Sequence, residues 1–213
     1  MHENGDKTHP QVGWIQVLRE FMKSDLEIIN LGRNKISTRT AITLGIFDQA
    51  LALIDKETYV LLGYGHNDSL LDKEERYCTP EEFFNNLEKM IEHIEALGGK
   101  TILLTPTYKV RFDDNGILIP NVLGEYPIKI RELAFKKNLM LVDLTKELYE
   151  LYSLNGKEKS QEYVMTFDKG IYKNYINGSS DDTHLRRKGA VEVVKIFLNA
   201  LNNSDCELKK YIK

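Results

Sequence analysis

The fold prediction rests on residues 58–68, TYVLLGYGHND, in which an apolar run leads into a short polar loop. The run 58–62 is rich in residues that favour strands, and the glycines that follow allow the chain to turn sharply. Three further segments have the same nearly unbroken apolar character, which indicates strands covered on both faces, as in a parallel sheet. The four predicted strands are 26–30, 58–62, 101–105 and 139–143.

Long amphipathic runs lie between these strands and predict helices. The clearest begins at Thr79, where a threonine N-cap, Pro80 at the first helical position and Glu82 three residues after the cap form a capping box. Apolar residues then recur every three or four positions until Gly98, and a last amphipathic run covers 189–201. The pattern predicts an α/β fold with three layers, α/β/α, around a central parallel sheet. In such folds, functional residues lie on loops at the carboxyl ends of the strands.

The composition is that of an ordinary globular chain, with 213 residues, 42% hydrophobic residues, 29% charged residues and a net charge of −3. This length predicts a single domain, 1–213. The charge argues against a nucleic-acid partner, and no apolar run reaches the roughly 18 residues that a membrane span requires. Two cysteines and a polar N-terminus favour a cytoplasmic location for the chain as written. Five scattered histidines without ligand spacing predict no metal site.

Two polar motifs are candidates for catalysis, and each also has a plainer interpretation. His66, Asn67 and Asp68 crowd the end of one strand, where a tight turn would use Asn and Asp only to bond its own backbone. Asp181 precedes His184 by three residues, a spacing at which a carboxylate can orient an imidazole through its Nδ1 proton. The other ring nitrogen is then available as a general base. The plainer interpretation of this motif is an acidic N-cap of the last helix beside an exposed histidine.

Together the two motifs resemble conserved blocks of the SGNH (GDSL-type) esterases. Gly65-His66-Asn67-Asp68 is similar to the third block, and Asp181-Asp182-Thr183-His184 is similar to the fifth. The similarity is greatest to the rhamnogalacturonan acetylesterase-like branch and extends from about residue 13 to about residue 201. Further similar positions are Gly13-Trp14, Ser37-Thr38, Thr105-Pro106, Arg111-Phe112, Tyr126-Pro127 and Glu132-Leu133-Ala134.

The resemblance implies a serine esterase. In this family a serine of a Gly-Asp-Ser block attacks the acyl carbonyl, so that His184 is its general base and Asp181 orients His184. Asn67 donates its side-chain amide to the oxyanion, and His66 serves loop structure rather than catalysis. We therefore expect a carbohydrate O-acetylesterase that deacetylates pectin- or rhamnogalacturonan-like oligosaccharides, with an acetylated oligosaccharide as partner and no cofactor.

The nucleophile block of the family is not recognisable in this sequence. Gly5-Asp6-Lys7-Thr8 has a lysine where the family has serine, and only four polar residues precede it, too few for the buried first strand. That strand lies between the second and third strands in the family, so its removal leaves unpaired backbone in the sheet. Ser37 and Ser69 are poor substitutes. We therefore expect that the chain as written lacks the first strand and its serine and is inactive, and that it is secreted if a leader precedes Met1.

The second block is altered as well, which leaves a further hypothesis open. Asn34-Lys35-Ile36-Ser37 aligns best and places Lys35 at the glycine whose N–H completes the oxyanion hole, with Gly32 as the alternative. These departures are also compatible with a degenerate family member that binds oligosaccharide without catalysis. A phosphatase or nucleotide enzyme is disfavoured because a glycine-rich phosphate loop is absent. Loop aromatics are candidates either for stacking on sugars or for ordinary packing: Tyr108, Phe112, Phe167, Tyr172 and Tyr175.

Overall fold

The computed structural model describes residues 7–213, which form two compact units. The sheet unit comprises Arg33–Pro106 and Leu123–Thr145. The hairpin unit comprises 7–32, Thr107–Val122 and Lys146–Lys213. Within the described range, no helix is both long and apolar enough to cross a membrane.

The sheet unit contains the parallel sheet that the apolar runs predict. Its strands are β1 (Tyr59–Gly63), β2 (Lys100–Leu104) and β3 (Met140–Val142), hydrogen-bonded in the order β1-β2-β3 with both pairs parallel. The pairing places Gly63 opposite Leu104, so that β1 and β2 end at the same level. Three of the four predicted strands and the α/β class are thereby confirmed.

The predicted strand at Leu26–Asn30 is wrong, because this segment forms no ladder with any described residue. A strand needs a neighbour that accepts and donates its backbone hydrogen bonds. Here the Ile28 carbonyl accepts a hydrogen bond from Arg19 Nη2 at 2.7 Å, and 52% of Ile29 is exposed. The apolar run therefore predicts the tendency to extend correctly, whereas pairing depends on a partner that the run itself does not specify.

The sheet unit also contains α2 (Thr38–Thr43), α3 (Ile46–Leu51), α4 (Pro80–Ala96) and α5 (Tyr126–Lys137). The capping box of α4 forms as predicted. The Thr79 hydroxyl accepts from the Glu82 N–H at 3.2 Å, and the Glu82 carboxylate accepts from the Thr79 N–H at 2.8 Å. The buried side chains of α4 form a core with β1, β2 and α5, and the fully buried members from α4 are Phe83, Leu87, Met90, Ile91 and Ile94.

The hairpin unit combines helices with an antiparallel strand pair. It contains α1 (Trp14–Phe21), most of α6 (Leu144–Gln161) and α7 (Arg187–Asn202), which includes the predicted run 189–201. A 3₁₀ helix, Glu207–Tyr211, lies near the end of the chain. β4 (Val164–Phe167) pairs with β5 (Ser179–Leu185), a hairpin that the sequence pattern does not predict. This hairpin is important because β5 carries the Asp181 and His184 motif.

Candidate active site

The Asp181 and His184 motif forms a compact turn within β5. Asp181 Oδ1 accepts hydrogen bonds from the backbone N–H groups of Thr183 (2.9 Å) and His184 (3.0 Å). Asp181 Oδ2 lies 2.7 Å from Nδ1 of His184. One carboxylate therefore folds the turn and orients the imidazole, and Nε2 of His184 points away from Asp181. The plainer interpretation of the motif as a helix cap does not apply, because the N-cap residue of α7 is Arg186.

The contact shifts the pKa values of both partners in favour of an ion pair. Partial burial by itself would raise the pKa of the Asp181 carboxyl, but the hydrogen bonds from the His184 ring and from the two backbone N–H groups outweigh it and lower that pKa to about 2. The hydrogen bond to Asp181 raises the pKa of the His184 imidazole, against the opposing effect of partial burial. Because Asp181 is ionised above about pH 2, the proton between the two groups belongs to Nδ1 of His184. Nε2 of the neutral ring is then a proton acceptor.

The loop after β1 is organised by the fully buried carboxylate of Asp68. Asp68 Oδ1 accepts from the Thr38 N–H (2.8 Å) and the Thr38 hydroxyl (2.6 Å), and Oδ2 accepts from the Gly65 N–H (3.1 Å). Burial raises the pKa of the Asp68 carboxyl, and these hydrogen bonds oppose the shift. Asp68 therefore bonds its own loop, as the tight-turn interpretation predicts. It also ties that loop to the first turn of α2.

Asn67 is held by two contacts of its side-chain amide. Its Nδ2 donates to the Ile36 carbonyl at 3.1 Å, and its Oδ1 accepts from Arg76 Nη1 at 3.3 Å. These contacts fix the amide plane and use one of the two Nδ2 protons, so that the second proton is available to another acceptor. Next to Asn67, the His66 carbonyl accepts a hydrogen bond from the Ser69 hydroxyl at 3.0 Å.

The backbone distinguishes between the two candidates for the second oxyanion donor. Lys35 has a φ of 63°, in the left-handed region that glycine adopts most readily. Within residues 7–213, the other non-glycine residues with positive φ are the asparagines Asn121 and Asn138. No acceptor among the described residues receives the Lys35 N–H. Gly32, in contrast, is outside that region, and its N–H donates to Asn30 Oδ1 at 3.0 Å. The local conformation thus favours Lys35 at the position of the family's glycine.

The serines near these loops are engaged in structural contacts. Ser37 is fully buried, and its hydroxyl accepts from the Thr40 N–H as the N-cap of α2. Ser69 donates to the His66 carbonyl. Lys7 is exposed, whereas Gly5 and Asp6, which precede it in the Gly-Asp-Lys-Thr stretch, lie outside the described residues.

The loop aromatics pack mainly on one another. Phe167 meets Tyr172 and Tyr175 edge to face, with ring centroids 4.7 and 5.6 Å apart. Tyr108 is buried and its ring centroid lies 5.1 Å from that of Tyr149. Ring packing of this kind accounts for the positions of Tyr108, Phe167, Tyr172 and Tyr175, whereas Phe112 makes no ring contact among the described residues. The described residues contain no group of three or more His, Cys, Asp or Glu side chains that could hold a metal ion.

The sequence motifs do not reveal the contacts that support the loop after β1 and the turn in β5. Thr38 contacts Asp68 across 30 positions, and Arg111 contacts Asp182 across 71 positions (Nε–Oδ2 2.9 Å). Pairs this distant in the chain leave no periodic or local pattern. The sequence does offer two hints: Thr38 and Arg111 lie in segments that resemble the family, and Asp182 is a second carboxylate beside the Asp181 that orients His184.

Comparisons with known proteins place this geometry in a family. No protein-family model matches the chain. The chain is 30% identical over 206 residues to rhamnogalacturonan acetylesterase RhgT of Bacillus subtilis (strain 168), and the alignment covers 95% of this chain and 86% of that protein.

Two solved structures share the fold. Protein YXIM of Bacillus subtilis matches with a TM-score of 0.76 and 23% identity over 93% of this chain, which spans about half (51%) of the YXIM chain. The acetyl xylan esterase AlAXEase matches with a TM-score of 0.65 and 22% identity over 89% of this chain and 90% of that chain. With 30% identity to RhgT along nearly its whole length, this chain belongs to the rhamnogalacturonan acetylesterase-like branch of the SGNH (GDSL-type) hydrolases.

Proposed function

We propose that the protein is of the carbohydrate O-acetylesterase type, which removes acetyl groups from pectin- or rhamnogalacturonan-like oligosaccharides, and that the chain as written is inactive because it lacks the nucleophilic serine. The observation that carries the proposal is the 2.7 Å contact between Asp181 Oδ2 and His184 Nδ1, which leaves Nε2 of His184 as a base. The names of two similar proteins support the substrate class, because RhgT is a rhamnogalacturonan acetylesterase and AlAXEase is an acetyl xylan esterase.

The proposed mechanism assigns proton transfer to His184. In its neutral form the imidazole accepts the proton of the attacking hydroxyl at Nε2 and later donates it to the departing sugar oxygen. Between these steps the ring is an imidazolium, and the ionised Asp181 stabilises that charge through Nδ1. Because the contact with Asp181 raises the pKa of His184, the free base predominates only above that raised pKa.

Asn67 and Lys35 are the proposed donors to the oxyanion. The free Nδ2 proton of Asn67 and the backbone N–H of Lys35 would share the negative charge on the acyl oxygen. The hydrogen bond from Asn67 to the Ile36 carbonyl connects the two donors, since Ile36 directly follows Lys35. Loss of one such donor typically reduces kcat by a factor of about 100–1000.

In this proposal, none of the serines of this chain is the attacking nucleophile. Ser37 and Ser69 are committed to other contacts, and a lysine occupies the serine position in the Gly-Asp-Lys-Thr stretch. We therefore expect the 213-residue chain to hydrolyse acetyl esters no faster than the background reaction.

The proposal is tested by adding the nucleophile to the chain. A chimera that carries a family-type strand and Gly-Asp-Ser block ahead of Gly13 should release acetate from acetylated rhamnogalacturonan oligosaccharides, while the 213-residue chain should not. His184→Gln, in the chimera, should abolish the release, and replacement of the added serine by alanine is the matched control.

Each other outcome removes a specific part of the proposal. If the 213-residue chain itself hydrolyses an aryl acetate in a His184-dependent manner, the assignment of an absent serine is wrong and the esterase assignment stands. If the chimera folds but releases no acetate, the esterase proposal is wrong. Calorimetry with the same oligosaccharides then tests the alternative of a family member that binds without catalysis.

A further inference from the structure

We propose that Arg111 is a positioning residue of this site: it holds Asp182, and through Asp182 it holds the turn that keeps His184 against Asp181. The proposal rests on the function proposed above for His184. It adds the residues that set the geometry of the Asp181 and His184 pair.

The middle of the turn is held from outside by the segment Thr107–Val122. The Arg111 guanidinium donates to Asp182 Oδ2 from Nε at 2.9 Å and lies 2.7 Å from it at Nη2. The neighbouring Val110 N–H donates to the Asp182 carbonyl at 2.8 Å. The Thr183 hydroxyl donates to the other carboxylate oxygen, Oδ1, at 2.7 Å. Asp182 is therefore fixed at both its backbone and its side chain.

The segment that carries Arg111 is itself well anchored. The Tyr108 ring is buried, and its hydroxyl donates to the Ile119 carbonyl at 2.8 Å. The Ile119 N–H donates to the Arg111 carbonyl at 2.8 Å, so that Arg111 and Ile119 are joined at the two ends of a short loop. Because Arg111 starts from a fixed backbone, its guanidinium can restrain Asp182 rather than follow it.

The restraint matters because the turn and the imidazole share one carboxylate. Asp181 can hold the His184 ring only while the backbone N–H groups of Thr183 and His184 also point at it. The peptide units on either side of Asp182 set the direction of those N–H groups. Release of Asp182 would let these units rotate and would lengthen the bond between Asp181 and the ring. The ion pair is half exposed (51% and 23% for the two side chains), so its effect on global stability is expected to be small.

The pKa of His184 separates this restraint from a simple charge effect. If Arg111 acted only as a nearby cation, its removal would raise the pKa of His184, because a like charge disfavours the imidazolium. If Arg111 restrains the turn, its removal lowers that pKa, because the Asp181 contact that raises it is weakened. The charged side chains on β5 and at the two positions after it are Asp181, Asp182, Arg186 and Arg187, and those on the facing segment Thr107–Val122 are Lys109, Arg111, Asp113 and Asp114.

The test is an NMR titration of His184 in the 213-residue protein, with the signal assigned by His184→Gln. Arg111→Gln is expected to lower the pKa of His184 by roughly half a unit. Arg111→Lys keeps the charge without the forked contact and is expected to lower it by a smaller amount. Lys109→Gln removes a cation of the same segment that interacts electrostatically with Asp182 but donates no hydrogen bond to it, and it should leave the pKa of His184 unchanged or slightly higher.

The proposal is overturned if Arg111→Gln leaves the pKa of His184 unchanged or raises it, or if Lys109→Gln lowers it as much. If Arg111→Gln does not fold, the test uses Arg111→Lys instead, once alone and once combined with Asp182→Asn. Arg111→Lys should lower the pKa of His184 only when Asp182 is present. Equal changes in the pKa of His184 with and without Asp182→Asn would contradict the proposal. If the pKa of His184 in the wild-type protein is not raised, the Asp181 and His184 pair is contradicted, and with it the proposed function. If that pKa is raised but does not respond to substitution of Arg111, only the positioning role of Arg111 is contradicted.

Discussion

Replacement of Asp181 by asparagine should lower the pKa of His184 and weaken the fold in a pH-dependent way. Asparagine keeps the size of the side chain and removes its charge. Hydrogen bonds from His184 and Thr183 overcome the effect of burial and lower the Asp181 pKa from 3.8 to about 2. A shift of almost two units corresponds to about 2.5 kcal/mol. Because 36% of the Asp181 side chain is exposed and solvent screens the pair, we expect a loss of only about 1 kcal/mol.

The sign of the pH dependence follows from the two shifts. The lowered pKa of Asp181 stabilises the folded state above the unfolded value of 3.8, and this stabilisation is lost as the pH falls through about 2. The raised pKa of His184 stabilises the folded state below the unfolded value of 6.5, and this is lost as the pH rises through the folded value. Both groups are charged between these limits, so the penalty of Asp181→Asn should be larger at about pH 5 than at about pH 9.

Thermal unfolding at the two pH values and an NMR titration of His184 measure these effects. For a chain of this size, 1 kcal/mol corresponds to a change in Tm of about 2–4 °C. Asp205→Asn removes an exposed carboxylate and is the matched control. An unchanged pKa of His184 in Asp181→Asn, or an equal fall in Tm at both pH values, would show that the ion pair does not stabilise the fold in this way.

Three further substitutions test the backbone and the polar contacts. Gly189→Ala should destabilise the protein by roughly 1–3 kcal/mol in urea unfolding, because a β-carbon would collide with the Tyr163 carbonyl oxygen. An unchanged free energy of unfolding would disprove that close approach. Lys35→Gly should stabilise it by about 1 kcal/mol in the same measurement by removing a side chain from a left-handed position, whereas Lys35→Ala should bring no such gain. Thr38→Val should lower the free energy of unfolding by about 1–3 kcal/mol, because it removes the hydroxyl that donates to Asp68. Thr38→Ser keeps a hydroxyl and should lower it less, and equal decreases for the two variants would argue against the hydrogen bond as the cause.

The elements that sequence analysis predicts correctly are those coded by adjacent residues. β1 follows from the apolar run at 58–62, and the start of α4 follows from Thr79, Pro80 and Glu82. In both cases hydrophobic spacing or a cap is fully contained in a short window. The Asp181 and His184 contact belongs to the same class, because a three-residue spacing places both side chains in one turn.

The elements that the sequence does not predict depend on partners elsewhere in the chain. The segment 26–30 has the composition of a strand and forms none, because pairing is a property of two segments. β5 is the converse case: Ser179–Leu185 is almost entirely polar, yet it pairs with β4. The contact between Arg111 and Asp182 connects the segment Thr107–Val122 with β5, and neither local sequence indicates that the two segments meet.

The two motif carboxylates, Asp68 and Asp181, show why residue type alone does not assign a catalytic role. Each accepts three hydrogen bonds, two of them from backbone N–H groups, so their local chemistry is nearly the same. Their surroundings differ: burial raises the pKa of Asp68, whereas Asp181, which has a titratable imidazole as its third donor, has a pKa lowered to about 2.

The hydrogen-bond partners of the two carboxylates decide which of them can support proton transfer. A carboxylate can stabilise an imidazolium only if it remains ionised while the ring takes up a proton, and Asp181 meets this condition across the whole range in which His184 titrates. Among the residues that the structure describes, Asp68 bonds Thr38 and Gly65 and no imidazole, so it joins the loop after β1 to α2. Asp68→Asn should therefore alter unfolding far more than the titration of His184, whereas Asp181→Asn should alter both.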